Sequence, residues 1–507
     1  MSTTNLETPV DPAPATTEAG VAGTDRWYLA SAPIVRALVH LCVPMAAAMI
    51  VGAIYNVVNA GFIGSLHDAT LLAAITFAAP LLGLVMGVGG VFGVGGGALI
   101  SRLLGASEHD PARADEIRRV SSFALWGSVI TGAVLGGLGL MLLHPLVSLL
   151  GADAAAVPAT SSFVGVMLAF VPVLAAAFCL EQLVRAEGAA RQVMVALIAS
   201  TVANVVFDIL FILVLPWGVA GAALAMGLSN LGVVAYFAIW LHRRSAHLSL
   251  APKWFTLSPA VLKPVFGVGV GELLQSGFLI VTALVLNNLA VAYGDTALAA
   301  MGVAVRIAQV PEFLVMGVTL GVLPLLAYAY GKGDRARLRS ALRVSAITVG
   351  GIVAISATTL IVFSEQVFSV FVDDRSVLAL GATILTAQLV AMVANGFAGL
   401  ITSFFQATGR ASAAIVMSLA QGVLFIPIVI LGNLWFGLAG IIWALTLTEG
   451  IVLVVGIVMW LVSRRAIERG LVESAADGTR AEDGTRAVDA EGAVAPVVAP
   501  IEASANA

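Results

Sequence analysis

Long apolar stretches fill almost the whole chain between Ile34 and Val462. A bilayer core about 30 Å thick requires about 20 consecutive, mostly apolar residues for each spanning helix. We therefore expect an all-α polytopic membrane protein with twelve transmembrane helices. Polar and turn-forming residues divide the sequence into twelve such spans, at 34–62, 70–101, 119–144, 160–185, 192–214, 219–242, 260–291, 297–330, 341–363, 377–406, 411–432 and 436–462.

The composition supports a membrane protein and excludes several other classes. Hydrophobic residues make up 60% of the chain and charged residues only 11%, against about 25% charged in soluble domains. The basic residues are dispersed among short loops, so we expect no nucleic-acid partner. Segments 1–30 and 465–507 are acidic and rich in Thr, Pro and Ala, and we expect both to be disordered cytoplasmic tails.

The positive charges between the spans predict how the chain is oriented. Connections that follow even-numbered spans hold almost all the loop cations, whereas the opposite connections hold only Arg375. Positive loops stay in the cytoplasm, so we expect a multi-pass inner (plasma) membrane protein with both termini cytoplasmic. The cations of the even-to-odd connections are Arg113, Arg118, Arg119, Arg191, Arg243, Arg244, Lys253, Lys332, Arg335, Arg337, Arg339 and Arg410.

An internal repeat relates the two halves of the chain. Residues 72–80 (LAAITFAAP) align with 298–306 (LAAMGVAVR), and the same offset of 226 pairs Gly105 with Gly331. RAEG at 185–188 matches QATG at 406–409, and GVAGAALA at 218–225 matches GLAGIIWA at 437–444. One such match arises easily by chance in Gly- and Ala-rich helices, but three in corresponding positions indicate duplication.

Each half contains six spans, so the halves have parallel topology and a pseudo-twofold axis along the membrane normal. We expect an N-lobe at 31–242, a cytoplasmic linker at 243–258 and a C-lobe at 259–464. Two such lobes are the architecture of alternating access.

Polar side chains at membrane depth are costly and mark functional sites. In the fifth span Asn204 and Asp208 are four residues apart, and in the first span Tyr55 and Asn59 have the same spacing. Each pair therefore lies on one helix face, and Asn59 and Asp208 fall at similar depth in the outer half. Removal from water favours the neutral form of a carboxyl group, so Asp208 suits a proton carrier. The alternative is a purely structural Asp208, satisfied by hydrogen bonds from the two asparagines.

The C-lobe contains four further candidates, which we expect to line a central cleft: Glu272, Arg306, Glu312 and Glu449. Arg306 and Glu312 are about 240° apart on their helix, so they do not pair with each other. A pair between Glu272 and Arg306 is one interpretation, in either a structural or a coupling role. An unpaired central carboxylate is the other, and it would attract a cationic substrate.

Several segments, in this order and spacing, resemble the multidrug and toxic compound extrusion (MATE) family, bacterial branch, over residues 34–464. The resemblance implies a V-shaped, MATE-like transporter that exports amphiphilic, often cationic compounds in exchange for protons or sodium. The segments are IYNVVNAGFIGSL (54–66), FGVGGGALISRLLGA (92–106), LVRAEG (183–188), NVVFD (204–208), PWGVAGAALA (216–225), VRIAQVPEF (305–313), VLPLLAYAYGKGD (322–334) and FFQATGR (404–410).

The resemblance also assigns roles to particular positions. It implies an ion-coupling cluster at Tyr55, Asn59, Asn204 and Asp208, and a helix-bending role for Pro44, for which a static kink is the alternative. The sequence departs from the family at Asn59, where an Asp is usual, and at Met226, where a hydroxyl residue is common. A hard cation requires several oxygen ligands, so both departures weaken a sodium site at Asp208, Asn204 and Asn59.

We therefore expect proton coupling rather than sodium, with no resident metal, no cofactor and no enzymatic chemistry. The expected partners are a small amphiphilic or cationic substrate and membrane lipid, and the expected state is a monomer.

Two alternatives remain open at this point. A lipid-linked precursor flippase of the same superfamily would require a basic central cavity, which the scarcity of Arg and Lys within the spans disfavours. A membrane-embedded prenyl or glycosyl transferase would require paired aspartates to hold Mg²⁺. Asp373 and Asp374 are adjacent, but they fall in a loop on the outer side.

Overall fold

The computed structural model describes residues 21–65, 69–110, 112–150, 156–369 and 375–492, and the long elements in these ranges are helices. Twelve of them are long and apolar enough to cross a membrane, which confirms the predicted fold class. They are α1 (Ile34–Ser65), α2 (Ala69–Ala106), α3 (Arg113–Met141), α4 (Val157–Ala186), α5 (Ala190–Asp208), α6 (Gly218–Arg244), α7 (Pro259–Val291), α8 (Asp295–Gly331), α9 (Arg335–Val362), α10 (Arg375–Ala407), α11 (Ala411–Phe436) and α12 (Leu438–Gly492).

The helices form two lobes, α1–α6 and α7–α12, in the order that the repeat predicts. The lobes meet where α1 packs on α8, α2 packs on α7, and α2 packs on α8. If α1 is exchanged with α7 and α2 with α8, the contact between α1 and α8 becomes the contact between α7 and α2, and the contact between α2 and α8 is unchanged. The interface therefore has the pseudo-twofold symmetry expected of two related halves.

Glycines bring the two lobes into close contact, and their contacts repeat between the halves. At each glycine an added Cβ would collide with backbone of the other lobe. The sequence offset of 226 carries every α2 residue in these contacts onto its α8 counterpart. The three symmetry-related pairs are Gly95 on Val265 with Gly321 on Cys42, Gly269 on Val91 with Gly317 on Ala46, and Gly105 on Tyr328 with Gly331 on Arg102.

All six contacts lie between mid-span and the face that carries the even-to-odd connections, here called the basic face. At that face Glu108 of the N-lobe forms an ion pair with Lys332 of the C-lobe. The Tyr328 hydroxyl donates a hydrogen bond to the same carboxylate. The lobes are therefore closed against each other on the basic face.

The N-terminal segment contains structure where its composition predicts a disordered tail through residue 30. A short helix, Asp25–Ala30, precedes α1, and Leu29 is fully buried. The guanidinium of Arg337, at the start of α9, donates three hydrogen bonds of 2.7–2.8 Å to the carbonyls of Tyr28, Leu29 and Ala32. An arginine of the C-lobe thus binds the carbonyl end of this helix, which corrects the prediction for residues 25–30.

At the other end, α12 continues past residue 464 to Gly492, in a segment predicted to be disordered. Ile467 and Leu471 on this extension are buried, and Glu468 pairs with Arg335 at 2.7 Å. The prediction is corrected here too, because an average over a polar segment hides two apolar residues that share one helix face.

The loops add short elements that the apolar pattern does not contain. The helix Leu143–Leu149 follows α3, and the helix Ser364–Ser369 follows α9. The polar linker after α6 runs along α3, where the Trp126 indole donates to the Leu250 carbonyl at 2.9 Å. Asp373 and Asp374, considered above as a Mg²⁺ pair, lie outside the described residues.

Candidate functional site

A polar cluster lies inside the N-lobe where α1, α5 and α6 meet, and it contains three of the predicted residues. Asn204 and Asp208 are buried on α5, with Asp208 only 6% exposed. The Tyr55 hydroxyl on α1 donates a hydrogen bond to the side-chain amide oxygen of Asn204, and Tyr55 interacts electrostatically with Asp208. The predicted spacing therefore brings Tyr55, Asn204 and Asp208 together.

The third helix of the cluster supplies Ser229, which the sequence analysis missed. The Asn204 amide nitrogen approaches the Ser229 hydroxyl at 3.4 Å, and that hydroxyl donates to the Met226 carbonyl at 3.0 Å. Ser229 is buried and lies three residues after Met226, the position where a hydroxyl was expected and absent. The polar pair Ser229 and Asn230 inside an apolar span was the available signal.

The backbone changes its geometry directly after Asp208. Residues Ile209–Val214 form a π-helical turn, a feature that often accompanies functional sites. The Phe211 ring stacks on Phe207 at 5.8 Å and on Trp217 at 5.1 Å between ring centroids. Asp208 is therefore the last α-helical residue of α5, and an aromatic stack supports the wider turn beyond it.

Two further residues of the predicted cluster belong to α1. The side chain of Asn59 lies outside the described part of the structure, so its predicted place beside Asp208 stays a prediction. Pro44 lies within α1, which continues through it from Ile34 to Ser65. The flanking residues Cys42 and Ala46 are the ones that Gly321 and Gly317 of the C-lobe contact. Pro44 therefore removes a backbone hydrogen bond where α1 crosses the lobe interface.

A second group of polar side chains lies between the lobes. Gln406 on α10 donates to Glu272 on α7 at 3.0 Å, and Gly90 of α2 packs against the Glu272 side chain. Arg185 on α4 is 2% exposed, forms an ion pair with Glu181 and donates a hydrogen bond to the side-chain oxygen of Gln182 at 2.9 Å. Arg185 also interacts electrostatically with Glu272 across the interface.

The predicted pair between Glu272 and Arg306 is wrong in the described structure, where Arg185 is the cation near Glu272. Counted from the basic face, Glu272 is 13 residues into α7 and Arg306 is 25 residues before the end of α8. At 1.5 Å per residue their depths differ by roughly 18 Å, too far for direct contact.

The remaining C-lobe candidates form a third group on α8, α11 and α12. Gln421 on α11 donates to one carboxylate oxygen of Glu449 on α12 at 2.8 Å. Glu449 interacts electrostatically with Glu312 on α8, whose side chain is exposed. Among the described residues, no set of three or more His, Cys, Asp and Glu side chains is arranged to hold a metal ion.

Comparison with a family model identifies the kind of protein. The MatE family model matches residues 44–210 and again residues 268–431, once in each lobe. The chain is 32% identical to the multidrug export protein MepA of Staphylococcus saprophyticus subsp. saprophyticus, over 84% of this chain and 93% of the relative. It is 31% identical to MepA of Staphylococcus aureus strain MRSA252, with the same coverage.

Solved structures have the same fold at lower sequence identity. A multidrug resistance MATE family transporter of the MOP superfamily, solved in an outward-facing conformation, superposes with a TM-score of 0.80 at 22% identity, over 87% of this chain and 98% of its own. A MOP superfamily transporter from Pyrococcus furiosus superposes with a TM-score of 0.78 at 23% identity, with the same coverage. With a family model matched in both lobes and relatives above 30% identity along most of its length, the chain belongs to the MatE family of multi-pass membrane transporters.

Proposed function

We propose that this protein exports amphiphilic, cationic compounds across the plasma membrane in exchange for protons. The observation that carries the proposal is Asp208, a carboxyl group buried in the N-lobe among Tyr55, Asn204 and Ser229. Withdrawal from water favours the neutral form of a carboxyl group, which suits Asp208 to gain and lose a proton. The relatives named multidrug export proteins support the direction of transport and the breadth of substrates.

The hydrogen bonds around Asp208 favour a proton over sodium as the coupling ion. A hard cation requires several free oxygen ligands. The side-chain carbonyl oxygen of Asn204 already accepts from Tyr55, and the Ser229 hydroxyl oxygen already accepts from the Asn204 amide. Met226 itself offers no side-chain oxygen. A proton needs only the carboxylate of Asp208.

The carboxylates of the C-lobe favour a cationic substrate. Glu312 is an exposed acid in the middle of α8, and charged side chains at membrane depth face water-filled cavities rather than lipid. A negative charge lining such a cavity attracts a lipophilic cation over a long distance, because little solvent screens it.

The closed basic face supports a transport cycle in which the lobes rock about their glycine-lined contact. In that cycle the substrate leaves on the side opposite the basic loops, and protonation of Asp208 returns the lobes. The excess of Lys and Arg in the even-to-odd connections supports a cytoplasmic location for the basic face.

Ethidium uptake into everted membrane vesicles tests the coupling ion. We expect a proton gradient alone to drive uptake and a sodium gradient alone, with the proton gradient collapsed, to drive none. Vesicles from cells that lack the transporter provide the background. Uptake driven by sodium alone would contradict the proposal.

A further inference from the structure

One acidic side chain of the C-lobe is buried with half of its carboxylate unsatisfied. Glu449 on α12 is 1% exposed. One of its oxygens, Oε1, accepts a hydrogen bond from Gln421 at 2.8 Å. The other oxygen, Oε2, is shielded from solvent and has no hydrogen-bond partner in the described structure. A buried polar atom of this kind requires an explanation, because native structures rarely leave one unpaired.

The ionisable groups around Glu449 do not neutralise it. The helices α10 and α11 pack along α12. The only ionisable residue in their sequences is Arg375, the first residue of α10. α8 carries Asp295, Arg306 and Glu312, and α7 carries Lys263 and Glu272. Glu312 interacts electrostatically with Glu449, whereas Arg306 is in none of the ion pairs among the described residues. None of the ion pairs formed by described residues includes Glu449.

The facing helix presents a second oxygen that lacks a donor. The Thr446 hydroxyl on α12 donates to the Ala387 carbonyl on α10 at 2.8 Å, so the two helices touch at this level. Glu449 lies three residues beyond Thr446, and Gln388 lies one residue beyond Ala387. The side-chain oxygen of Gln388 is buried without a partner among the described residues, as Oε2 of Glu449 is. Both orphaned atoms are acceptors, so each lacks a hydrogen to accept, and both belong to residues within one helical turn of the Thr446 to Ala387 contact.

A metal ion is poorly suited to satisfy the unpartnered oxygen of the Glu449 carboxylate. The carboxylate is hydrogen-bonded by the amide nitrogen of Gln421, a donor, which repels a cation. A sodium or divalent ion would require several more oxygens than Oε2 and Gln388 offer. A proton needs only one oxygen, and it converts Oε2 from an unsatisfied acceptor into a donor.

We propose that Glu449 is a second proton-binding site, placed in the C-lobe and separate from Asp208. Its proton resides on Oε2, while Oε1 accepts the hydrogen bond from Gln421. Exposed Glu312 is the neighbouring acid whose own charge responds to that proton. The inference extends the proposed proton coupling, because a proton on each lobe would be released as the lobes rearrange.

Infrared spectroscopy of the purified transporter in lipid tests this site without relying on transport. A protonated carboxyl group has a carbonyl stretch that an ionised one lacks. The parent for the comparison is Asp208→Asn, so that Asp208 does not contribute to the signal. We expect the parent to show protonated carboxyl absorption at neutral pH, and Glu449→Gln on that parent to remove one such band.

Two matched variants control for folding and for the other acids. Glu449→Asp retains a carboxyl group and should retain a band at a shifted frequency, whereas Glu272→Gln should leave the Glu449 band in place. An unchanged spectrum in Glu449→Gln protein that still binds ethidium would overturn the proposal. Failure of a proton gradient to drive ethidium uptake, the test of the proposed function, would not overturn it, because this spectrum is measured without transport and in the absence of Asp208.

Discussion

At the scale of single residues, the proposed proton coupling depends on one acid whose neighbours are amides and hydroxyls. Asp208 is held out of water beside Asn204, and no basic side chain occurs in the described N-lobe cluster of Tyr55, Asn204, Asp208 and Ser229. Neutral hydrogen-bonding neighbours leave the proton free to bind and leave. A fixed cation beside Asp208 would instead hold it permanently ionised.

Ser229 should contribute to this cluster through its hydroxyl. In Ser229→Ala the Asn204 amide loses its acceptor, at a cost of about 1 kcal/mol, which corresponds to roughly fivefold in rate. We expect proton-driven ethidium export to slow by about that factor in vesicles that contain equal amounts of transporter.

Ser128→Ala is the matched control for that substitution. Ser128 is also buried in the N-lobe, but its hydroxyl donates to the Leu125 carbonyl of its own helix at 2.8 Å, and its other partner is Cys179 on α4 rather than a member of the Asp208 cluster. We expect its export rate to remain near that of the unmodified protein. Equal slowing by both substitutions would mean that the Ser229 hydroxyl has no special role.

The residues predicted from sequence were those linked by helical spacing. Asn204 and Asp208 share a face because they are four residues apart on one helix, and that relation does not depend on the rest of the fold. Pairing between helices was harder. The Ser229 contact was missed and the Glu272 to Arg306 pair was wrong, because the depth of each residue depends on where its helix begins relative to the others.

At the scale of helices, glycines determine how closely the lobes approach. Along α7, Gly269 packs against the Val91 backbone of α2, whereas Gly277 has no atom within 4 Å of the position its Cβ would take. Two glycines of one helix therefore differ in whether a methyl group fits.

Gly269→Ala should destabilise the closed contact between the lobes. The added methyl group meets a backbone carbonyl that cannot rotate away, and overpacking of this kind costs about 1–3 kcal/mol. We expect the thermal unfolding midpoint of the purified protein to fall by several degrees. Gly277→Ala should leave it unchanged or raise it slightly, since alanine favours helix. Equal midpoints for the two variants would contradict the interface described here.

The helices themselves were predictable because each span must bury about 20 apolar residues in lipid, a requirement that local sequence reveals directly. The terminal segments were not. These segments are mostly polar, and the few apolar residues that they bury are Leu29, Ile467 and Leu471. The segment at Leu29 is bound by Arg337, which comes from a distant part of the chain.

At the scale of the whole molecule, the proposed cycle requires the basic face to open. Arg337 binds the N-terminal helix to the C-lobe, so Arg337→Ala should weaken the closed arrangement. Cys42 reports on this change, because it is 7% exposed and lies at the lobe interface against Gly321. We expect Arg337→Ala to increase maleimide labelling of Cys42 severalfold in a Cys179→Ser background.

The other native cysteine supplies the control. Cys179 is 0% exposed and lies seven residues from the basic end of α4, at nearly the same depth as Cys42, which is eight residues into α1. Its partners belong to the N-lobe, so its labelling in a Cys42→Ser background should not change with Arg337→Ala. A parallel increase at both cysteines would indicate general loosening of the fold rather than separation of the lobes.

The most direct test of the account is transport by Asp208→Asn, measured as ethidium uptake into everted vesicles energised by a proton gradient. The amide keeps the size and hydrogen-bonding capacity of the side chain but does not exchange a proton at neutral pH. We predict that export is abolished while expression and ethidium binding are preserved. Undiminished proton-driven export by Asp208→Asn would remove Asp208 from the mechanism and contradict the account.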